Sequence, residues 1–226
     1  MTGRRVLIGA VGVSALVLLL GRWSASLYTD YLWFDSLGAR DVWRARVVTT
    51  ALLTSASCLV AATFAFINLY AVRQSVVSLV LPRRIANIEI GEEVPGKYLV
   101  AAVLGMSVLV GALLTFPTDR WHAALLARIG KSFGESEPYF AADLGFFVYW
   151  LPFEQSVHLW AIALLVVVVA LVVVLYALTP SLRWERGALY VSAYVRRHFT
   201  MLGAVLLLLV AWSYRLGMYH LLSFGS

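Results

Sequence analysis

The side chains that could do chemistry in this chain are few, and the most suggestive group is Gly130-Lys131-Ser132. A glycine, a lysine and a hydroxyl in this order close a phosphate-binding loop, in which backbone N–H groups and the lysine hold a nucleotide phosphate. That loop requires another glycine five positions earlier, and Leu125 occupies the position. No strand pattern precedes the segment either, so we exclude a nucleotide site.

Carboxylates between the apolar runs could supply oxygen ligands to a divalent cation, but their spacing matches no cation-binding loop. Solvated carboxylates that pair with Arg40, Arg44 or Arg46 are the simpler interpretation. We therefore predict no metal site. These acids are Asp30, Asp35, Asp41, Asp119, Glu135, Glu137, Asp143 and Glu154.

Histidine and cysteine chemistry is equally unsupported by the sequence. The single cysteine, Cys58, lies within an apolar run, and neither His-Glu-x-x-His nor Gly-x-Ser-x-Gly occurs. We predict no catalytic residue and no cofactor, and hence a protein that is not an enzyme. The histidines are scattered through the chain at His122, His158, His198 and His220.

Five long apolar runs must position all of these side chains. A helix needs about 20 apolar residues to cross the hydrocarbon core. With 62% hydrophobic and 13% charged residues, the 226-residue chain has too few charges to cover a soluble domain, where about 25% is usual. We predict an all-α integral membrane protein, with one transmembrane domain over residues 1–226. The expected spans cover about 6–27, 47–71, 98–116, 157–178 and 199–220.

The first run follows Arg4 and Arg5, a start that is also typical of a cleaved signal peptide. Its continuation through Trp23 and Tyr28 favours an uncleaved helix with an interfacial anchor.

The connecting segments predict the orientation. The N-terminal segment, the second connection and the fourth hold ten of the 18 basic residues and four of the 12 acids, and the other side holds eight of each. Basic residues collect on the cytoplasmic side. We expect a cell (inner) membrane protein with its N-terminus in the cytoplasm and its C-terminus outside it. Since this bias explains the net charge of +6, we expect the lipid bilayer, and no nucleic acid, as a partner.

Two further basic or apolar patterns lie next to the spans. Arg196-Arg197-His198 is interpreted as a topology anchor, with binding of anionic lipid headgroups as the alternative. Trp121, Leu125, Ile129 and Phe133 recur every four residues, which predicts an amphipathic helix over about 118–133. That helix is expected either on the outer bilayer surface or packed against the spans.

The centres of the expected spans carry no Asp or Glu. Arg215, near the outer end of the fifth run, is expected to reach the interface by snorkelling. Because intramembrane charges usually mark an ion or proton pathway, this pattern counts against coupled transport by these helices alone. Gly105, Gly111 and the Ser107-x-x-x-Gly111 pair are candidates for close helix contacts.

Two connecting segments carry motifs more specific than a turn requires. One is Tyr28-Thr-Asp-Tyr-Leu-Trp-Phe-Asp-Ser-Leu-Gly38, followed by Val42-Trp-Arg44. The other is Glu137-Pro-Tyr-Phe-Ala-Ala-Asp-Leu-Gly-Phe-Phe-Val-Tyr-Trp-Leu-Pro-Phe153. We expect ordered loops, in which Asp30 and Asp143 cap the turns that follow by accepting backbone N–H bonds, and Gly38 and Gly145 allow tight turns. Pro152 is expected to end extended chain before the helix. A shared outer vestibule formed by both motifs is the functional alternative.

Both motifs resemble those of the bacterial uncharacterised protein family 0182, multi-pass membrane proteins without an assigned activity. The family's Thr-Asp-x-x-Trp-Phe-x-x-x-Gly segment falls on Thr29, Asp30, Trp33, Phe34 and Gly38. Its second segment falls on Pro138, Phe140, Asp143, Gly145, Phe146, Leu151, Pro152 and Phe153. Tyr219-His-Leu-Leu222 is similar to its Arg-Tyr-Asp-Leu-Leu segment, with departures at Met218 and His220.

The resemblance implies a cytoplasmic N-terminus, and about seven spans followed by a large extracytoplasmic region. This chain would then be the N-terminal part only: a truncated member, a fragment or one half of a split gene. No catalytic residue is known in the family, so none is transferred. The motif residues remain the candidate functional positions.

These features lead to one functional hypothesis and one alternative. The hypothesis is a membrane protein of unknown activity that serves as a cell-envelope scaffold or assembly component. It would dock other envelope proteins, or a second copy of itself, through its outer segments. The alternative is a channel or transporter subunit, completed by other spans or by oligomerisation.

Overall fold

The computed structural model describes residues 2–77, 96–178, 182–185 and 188–220. Its helices are α1 (Thr2–Ser36), α2 (Arg40–Val77), α3 (Gly96–Leu113), α4 (Trp121–Ile129), α5 (Leu151–Ala177) and α6 (Ala193–His220). A 3₁₀ turn (Thr118–Arg120) precedes α4, and a π-helical turn (Phe146–Trp150) precedes α5. The chain divides into two compact units, residues 1–50 and 51–226.

In the described part of the chain, five helical segments are long and apolar enough to cross a membrane, which confirms the predicted all-α class. They are Gly9–Ser36, Arg40–Arg73, Gly96–Leu113, Phe146–Ala177 and Ala193–His220. A short antiparallel hairpin of β1 (Leu182–Glu185) and β2 (Ala188–Val191) lies between α5 and α6 in the chain. The apolar pattern did not predict this hairpin.

Several helix ends differ from the expected span boundaries. Helix α1 continues to Ser36 instead of ending near residue 27, and α2 begins at Arg40 instead of residue 47. Helical structure leading into α5 begins at Phe146 instead of residue 157, and α6 begins at Ala193 instead of residue 199. Hydropathy marks the apolar stretch only, whereas the backbone hydrogen bonds of a helix continue through polar turns until a residue breaks them.

Helix α1 ends because Gly38 interrupts its regular backbone hydrogen bonding. Its φ of +68° is a left-handed conformation that glycine adopts without steric cost. The Gly38 N–H donates to the Asp35 carbonyl at 2.9 Å, and the Ala39 N–H donates to the Phe34 carbonyl at 2.8 Å. This pair of bonds is a Schellman cap, so the predicted tight turn at Gly38 is confirmed. The expected outer loop over 28–44 is reduced to three residues between helices.

The core of the 51–226 unit is one apolar cluster contributed by α2, α3, α5 and α6. On α5 its members recur every three or four residues, which places them on one helix face. Val168 and Val172 of that face are completely buried. The cluster consists of Ala61, Ala65, Val72, Val110, Leu164, Leu165, Val168, Val172, Tyr176, Val195 and Leu202.

Helices α2 and α3 approach closely at Gly111. A Cβ on Gly111 would lie 2.7 Å from the Cys58 carbonyl oxygen and 2.8 Å from the Ala62 Cβ. Ser107, one turn earlier, is 1% exposed. The small pair therefore forms a helix contact, whereas Gly105 has nothing within 4 Å of its Cβ position.

The predicted amphipathic helix is shorter than expected. Helix α4 ends at Ile129, and Ile129 and Phe133 are 56% and 52% exposed, so the apolar stripe is not one buried face. Ala123 is buried, and α4 contacts the π-helical turn and α5. Helix α4 therefore packs against the segment that forms the fourth candidate span.

The π-helical turn replaces the extended chain expected before Pro152. Pro152 is the second residue of α5, and Leu151 before it is helical, with φ −57° and ψ −43°. Proline lacks an N–H and its ring crowds the carbonyl four residues earlier in an α-helix. A turn with i→i+5 bonding widens the backbone at this point, so the helix begins at Phe146 in spite of the proline.

Candidate functional site: an ordered loop and two buried polar clusters

The first motif lies mostly within α1 and the start of α2. Thr29 Oγ1 donates to the Ala25 carbonyl at 2.9 Å, within the helix. Asp30 lies in α1 and pairs with Arg46 at 3.3 Å, so the prediction that Asp30 caps a turn is wrong. The expected pairing with arginine is confirmed for Asp30 and also for Asp35, which pairs with Arg40. Trp33 and Phe34 contact each other edge to face, with ring centroids 4.9 Å apart.

The second motif is organised by the carboxylate of Asp143. Its Oδ1 accepts the backbone N–H groups of Phe133 at 3.1 Å and Gly145 at 2.7 Å. Its Oδ2 accepts the Gly134 N–H at 3.0 Å and the Ser132 hydroxyl. The prediction that Asp143 accepts backbone N–H bonds is therefore confirmed. This one side chain ties the segment after α4 to the segment that enters the π-helical turn.

Charge on Asp143 strengthens these bonds. The Ser132 hydroxyl, followed by the three backbone N–H donors, holds the pKa of the Asp143 carboxyl below its ordinary value of 3.8. Gly145 is required beside it, because a Cβ there would lie 2.7 Å from both Asp143 Oδ1 and the Lys131 carbonyl oxygen. The ionised carboxylate can thus accept four donors at once, and no side chain larger than hydrogen fits at position 145.

A tight turn projects from this loop at Pro138. Glu137 Oε2 accepts the N–H groups of Tyr139 at 2.9 Å and Phe140 at 2.7 Å, and Ala141 has a positive φ of 52°. Ala141 donates its N–H back to the Glu137 carbonyl at 2.9 Å. Tyr139, at the tip of the turn, is 84% exposed.

Aromatic rings join the second motif to the end of α6. The Tyr219 ring lies 5.3 Å from Phe140, 5.2 Å from Phe146 and 5.7 Å from Phe147. Further along the motif, the Phe153 ring lies 6.0 Å from that of Phe116. Residues 137–153 and 219–222 are two segments that resemble family motifs. The ring of Tyr219 brings them into contact, although residues 221–222 lie outside the described part.

Glu154 is the buried charge that the sequence analysis did not predict. It is 7% exposed, whereas it was expected to be a solvated loop carboxylate. Its Oε1 accepts the Trp212 indole N–H at 2.8 Å and pairs with Arg215, and its Oε2 accepts the Trp150 indole N–H at 3.1 Å. Arg215 remains 49% exposed, so its side chain contacts the carboxylate and also reaches the surface of the helix bundle. We call these four residues the carboxylate cluster.

His158 and Ser213, close to this cluster, lie within hydrogen-bonding distance but are not a nucleophile and its base. His158 Nε2 lies 3.1 Å from Ser213 Oγ and 3.0 Å from the Leu209 carbonyl oxygen. A carbonyl can only accept, so Nε2 must carry the proton. That nitrogen therefore cannot take a proton from the serine, as a catalytic base would have to.

A second buried group, the neutral cluster, joins α2, α5 and α6. His198 Nε2 lies 3.0 Å from Asn68 Oδ1, and Tyr176 Oη lies 2.8 Å from His198 Nδ1. The Asn68 amide N–H donates to the Phe64 carbonyl at 2.8 Å, which leaves its oxygen as the acceptor. These partners assign the proton of a neutral His198 to Nε2 and make Tyr176 a donor.

An apolar layer separates the two clusters. Along α5, His158 and Tyr176 are 18 residues apart, which corresponds to about 27 Å at the rise of an α-helix. Leu164, Leu165, Val168 and Val172 fill this interval and are each at most 6% exposed. Among the described residues, no polar side chain in this layer bridges the clusters, and no group of three His, Cys, Asp or Glu side chains could hold a metal ion.

Comparison with known proteins identifies the family. The chain matches the uncharacterised protein family UPF0182 over residues 7–225. A UPF0182 protein of Synechococcus sp. (strain JA-3-3Ab) is 31% identical over 217 residues, covering 96% of this chain and 22% of the relative. A UPF0182 protein of Nocardia farcinica (strain IFM 10152) is 30% identical over 221 residues, covering 97% and 22%. UPF0182 protein Rv0064 of Mycobacterium tuberculosis (strain ATCC 25618 / H37Rv) is 29% identical over 228 residues, covering 98% and 23%.

The chain spans less than a quarter of the length of these curated relatives. No solved structure matches it. Because the family match extends over almost the whole sequence and includes both motifs, the chain belongs to the uncharacterised protein family UPF0182.

Proposed function

We propose that this protein is a multi-pass component of the cell (inner) membrane that acts as a scaffold for other envelope proteins, with residues 130–145 as its docking loop. The observation that carries this proposal is the Asp143 carboxylate with its four donors. A loop already held in one shape loses little conformational entropy when a partner binds. Such preorganisation is an ordinary requirement of a docking surface, and a mere connection between helices does not need it.

The exposed side chains of the docking loop support the same function. Tyr139 is 84% exposed and Phe133 is 52% exposed, and both belong to the loop that the Asp143 carboxylate organises. Aromatic anchors carry much of the energy of protein interfaces, because they bury large areas with few rotatable bonds. A partner that covers this loop would bury Tyr139 first.

The orientation of the chain across the membrane is part of this proposal. The basic bias of the connections favours a cytoplasmic N-terminus, an extracytoplasmic docking loop and an extracytoplasmic C-terminus. In a Cys58→Ser background, Tyr139→Cys should react with an impermeant maleimide in intact cells, and Glu185→Cys should not. The reverse labelling pattern would overturn the orientation.

Site-specific crosslinking tests the docking function. A photo-crosslinking amino acid in place of Tyr139 should give a discrete adduct with an envelope protein. The matched control is the same amino acid in place of Tyr214, which is 77% exposed on α6 and should give no such adduct. Asp143→Ala should remove the adduct, because the loop then loses its shape. An adduct with lipid alone, or one that Asp143→Ala leaves unchanged, would contradict a preorganised docking loop.

A channel or transporter subunit is the second candidate, and buried Glu154 is the observation that favours it. Ionisable groups within spanning helices are usually part of a pathway. The apolar layer between the two clusters counts against conduction by this chain alone in this conformation. Proteoliposomes that contain the purified chain should show no ion flux above empty vesicles. A flux that Glu154→Gln abolishes would replace the scaffold proposal with this one.

A further inference from the structure

Three helix ends meet around Arg73, at the end of the helix bundle opposite α4. The Tyr194 hydroxyl, at the start of α6, donates to the Ala71 carbonyl of α2 at 2.7 Å. Gly96, the first residue of α3, lies against Arg73, since a Cβ on Gly96 would be 2.9 Å from Arg73 Nη2. The end of α2 and the starts of α3 and α6 therefore lie next to one another.

Four of the residues at these helix ends are basic. Lys97 follows Gly96 directly, and Arg196 and Arg197 follow Tyr194 in the first turn of α6. The ion pairs of the described residues involve other arginines, at positions 40, 46, 120 and 215. Four cations thus gather at three helix ends with no described carboxylate to neutralise them. A bound anion would remove their mutual repulsion.

Arg73 is held in position for such a role. Its Nη1 donates to the Tyr70 hydroxyl at 3.2 Å, and its guanidinium carbon lies 5.4 Å from the centre of the Tyr70 ring. An arginine fixed in this way has already lost part of its rotamer freedom before it meets a ligand. His198 does not belong to this group, because it is buried in the neutral cluster.

We propose that Arg73, Lys97, Arg196 and Arg197 form a binding site for a phosphate ester, supplied in the membrane by the headgroup of an anionic phospholipid. Guanidinium groups match phosphate oxygens through paired N–H bonds, and lysine adds a point charge. The site lies where helices long enough to span a bilayer end, which is headgroup depth. It is independent of the docking loop, which follows α4.

Lipid binding to the purified full chain in neutral detergent tests this site. The affinities for phosphatidylglycerol and phosphatidylcholine are measured by native mass spectrometry at fixed ionic strength. Arg73→Gln/Lys97→Gln should weaken phosphatidylglycerol binding about thirtyfold, since each basic residue near an anionic surface contributes about a factor of five. Arg22→Gln/Arg128→Gln removes the same charge from exposed positions on α1 and α4 and should leave the affinity unchanged.

Arg196→Gln/Arg197→Gln gives a second version of the site variant, because both side chains are exposed and a folding defect is not expected there. Equal weakening in the control variant, or equal binding of both lipids, would overturn the site. Inorganic phosphate is added as a competitor to identify the source of the phosphate. Retention of the lipid supports a headgroup site, and full displacement would overturn the lipid assignment in favour of a soluble phosphate.

Discussion

Both ends of the α5–α6 pair contain buried polar side chains, but the partners of these side chains differ. At the α4 end, two carboxyl groups accept several donors each: Glu154 accepts from two indoles and Arg215, and Asp143 accepts from four donors in the adjoining loop. At the opposite end, Asn68, His198 and Tyr176 form a chain of neutral hydrogen bonds. The two ends differ in how deeply their polar groups are buried.

Arg215 is 49% exposed, so the ion pair of the carboxylate cluster lies at the surface of the helix bundle. The three members of the neutral cluster are all buried, Tyr176 completely. A full charge is costly inside a packed bundle, whereas a neutral network costs little when every partner is satisfied. The cluster that reaches the bundle surface is therefore the one that contains the ion pair.

Removal of Glu154 should have the largest effect. Glu154→Leu leaves two indole N–H groups and Arg215 without their acceptor, so the free energy of unfolding should fall by about 3 kcal/mol. The measurement is an SDS titration of the protein in mixed micelles. Glu135→Leu, at an exposed position, is the control and should be nearly neutral. Equal losses in the two variants would remove the distinction between the clusters.

The next comparison is between two glycines of α3, one in contact with α2 and one in open space. Gly111→Ala should lower the unfolding free energy by about 2 kcal/mol, because its Cβ would overlap the Cys58 carbonyl and Ala62 of α2. Gly105→Ala makes the same chemical change in the same helix, where the space is open, and should be neutral or slightly stabilising. If both variants lose stability alike, α2 and α3 do not meet at Gly111.

The neutral cluster should contribute less than the carboxylate cluster. Asn68→Leu should cost about 1 kcal/mol, since hydrogen bonds between membrane helices are weak when the unfolded state finds other partners. A double-mutant cycle with His198→Leu should give a coupling of about 0.6 kcal/mol. A cost for Asn68→Leu above that for Glu154→Leu would reverse the comparison.

Acidification should affect Asp143 locally, with the smallest effect on global stability. Its pKa is lowered in the folded protein, so its stabilising effect is complete above the ordinary value of 3.8 and is lost as the pH falls through the lower, folded value. The amide protons of Phe133, Gly134 and Gly145 should therefore stay protected from neutral pH down to about that ordinary value and exchange faster below it. Hydrogen exchange corrected for intrinsic rates measures this, and Asp143→Asn should show weaker protection at every pH.

Several features could be predicted from local sequence alone. The five spans follow from the length and hydropathy of the apolar runs. The turn at Gly38 follows from the need for a residue that accepts positive φ. Asp143 could be predicted as an acceptor because aspartate readily binds backbone N–H groups close to it in the chain. Each of these depends only on residues that are close in the chain, within about 20 positions for a span.

Other features could not be predicted, because they depend on pairs that are distant in the chain. Glu154 and Arg215 lie 61 positions apart, and Asn68 and His198 lie 130 positions apart. One local pattern could have indicated that Glu154 is buried: Glu154 and His158 are four residues apart and share a helix face. This pattern applies only if residue 154 is helical, which requires α5 to begin before residue 157. The hydropathy pattern predicted the start of this helix at residue 157, eleven residues after its observed start at Phe146.

The sequence by itself determined the helical class, the number of spans and the membership in UPF0182, because hydropathy, turn-forming residues and motif spacing are local properties. Only the tertiary structure decided which polar groups are buried, which partners they contact and which glycine is a helix contact. Those outcomes depend on which helix faces meet, and burial changes the free energy of a polar group according to the partners and water that it finds there.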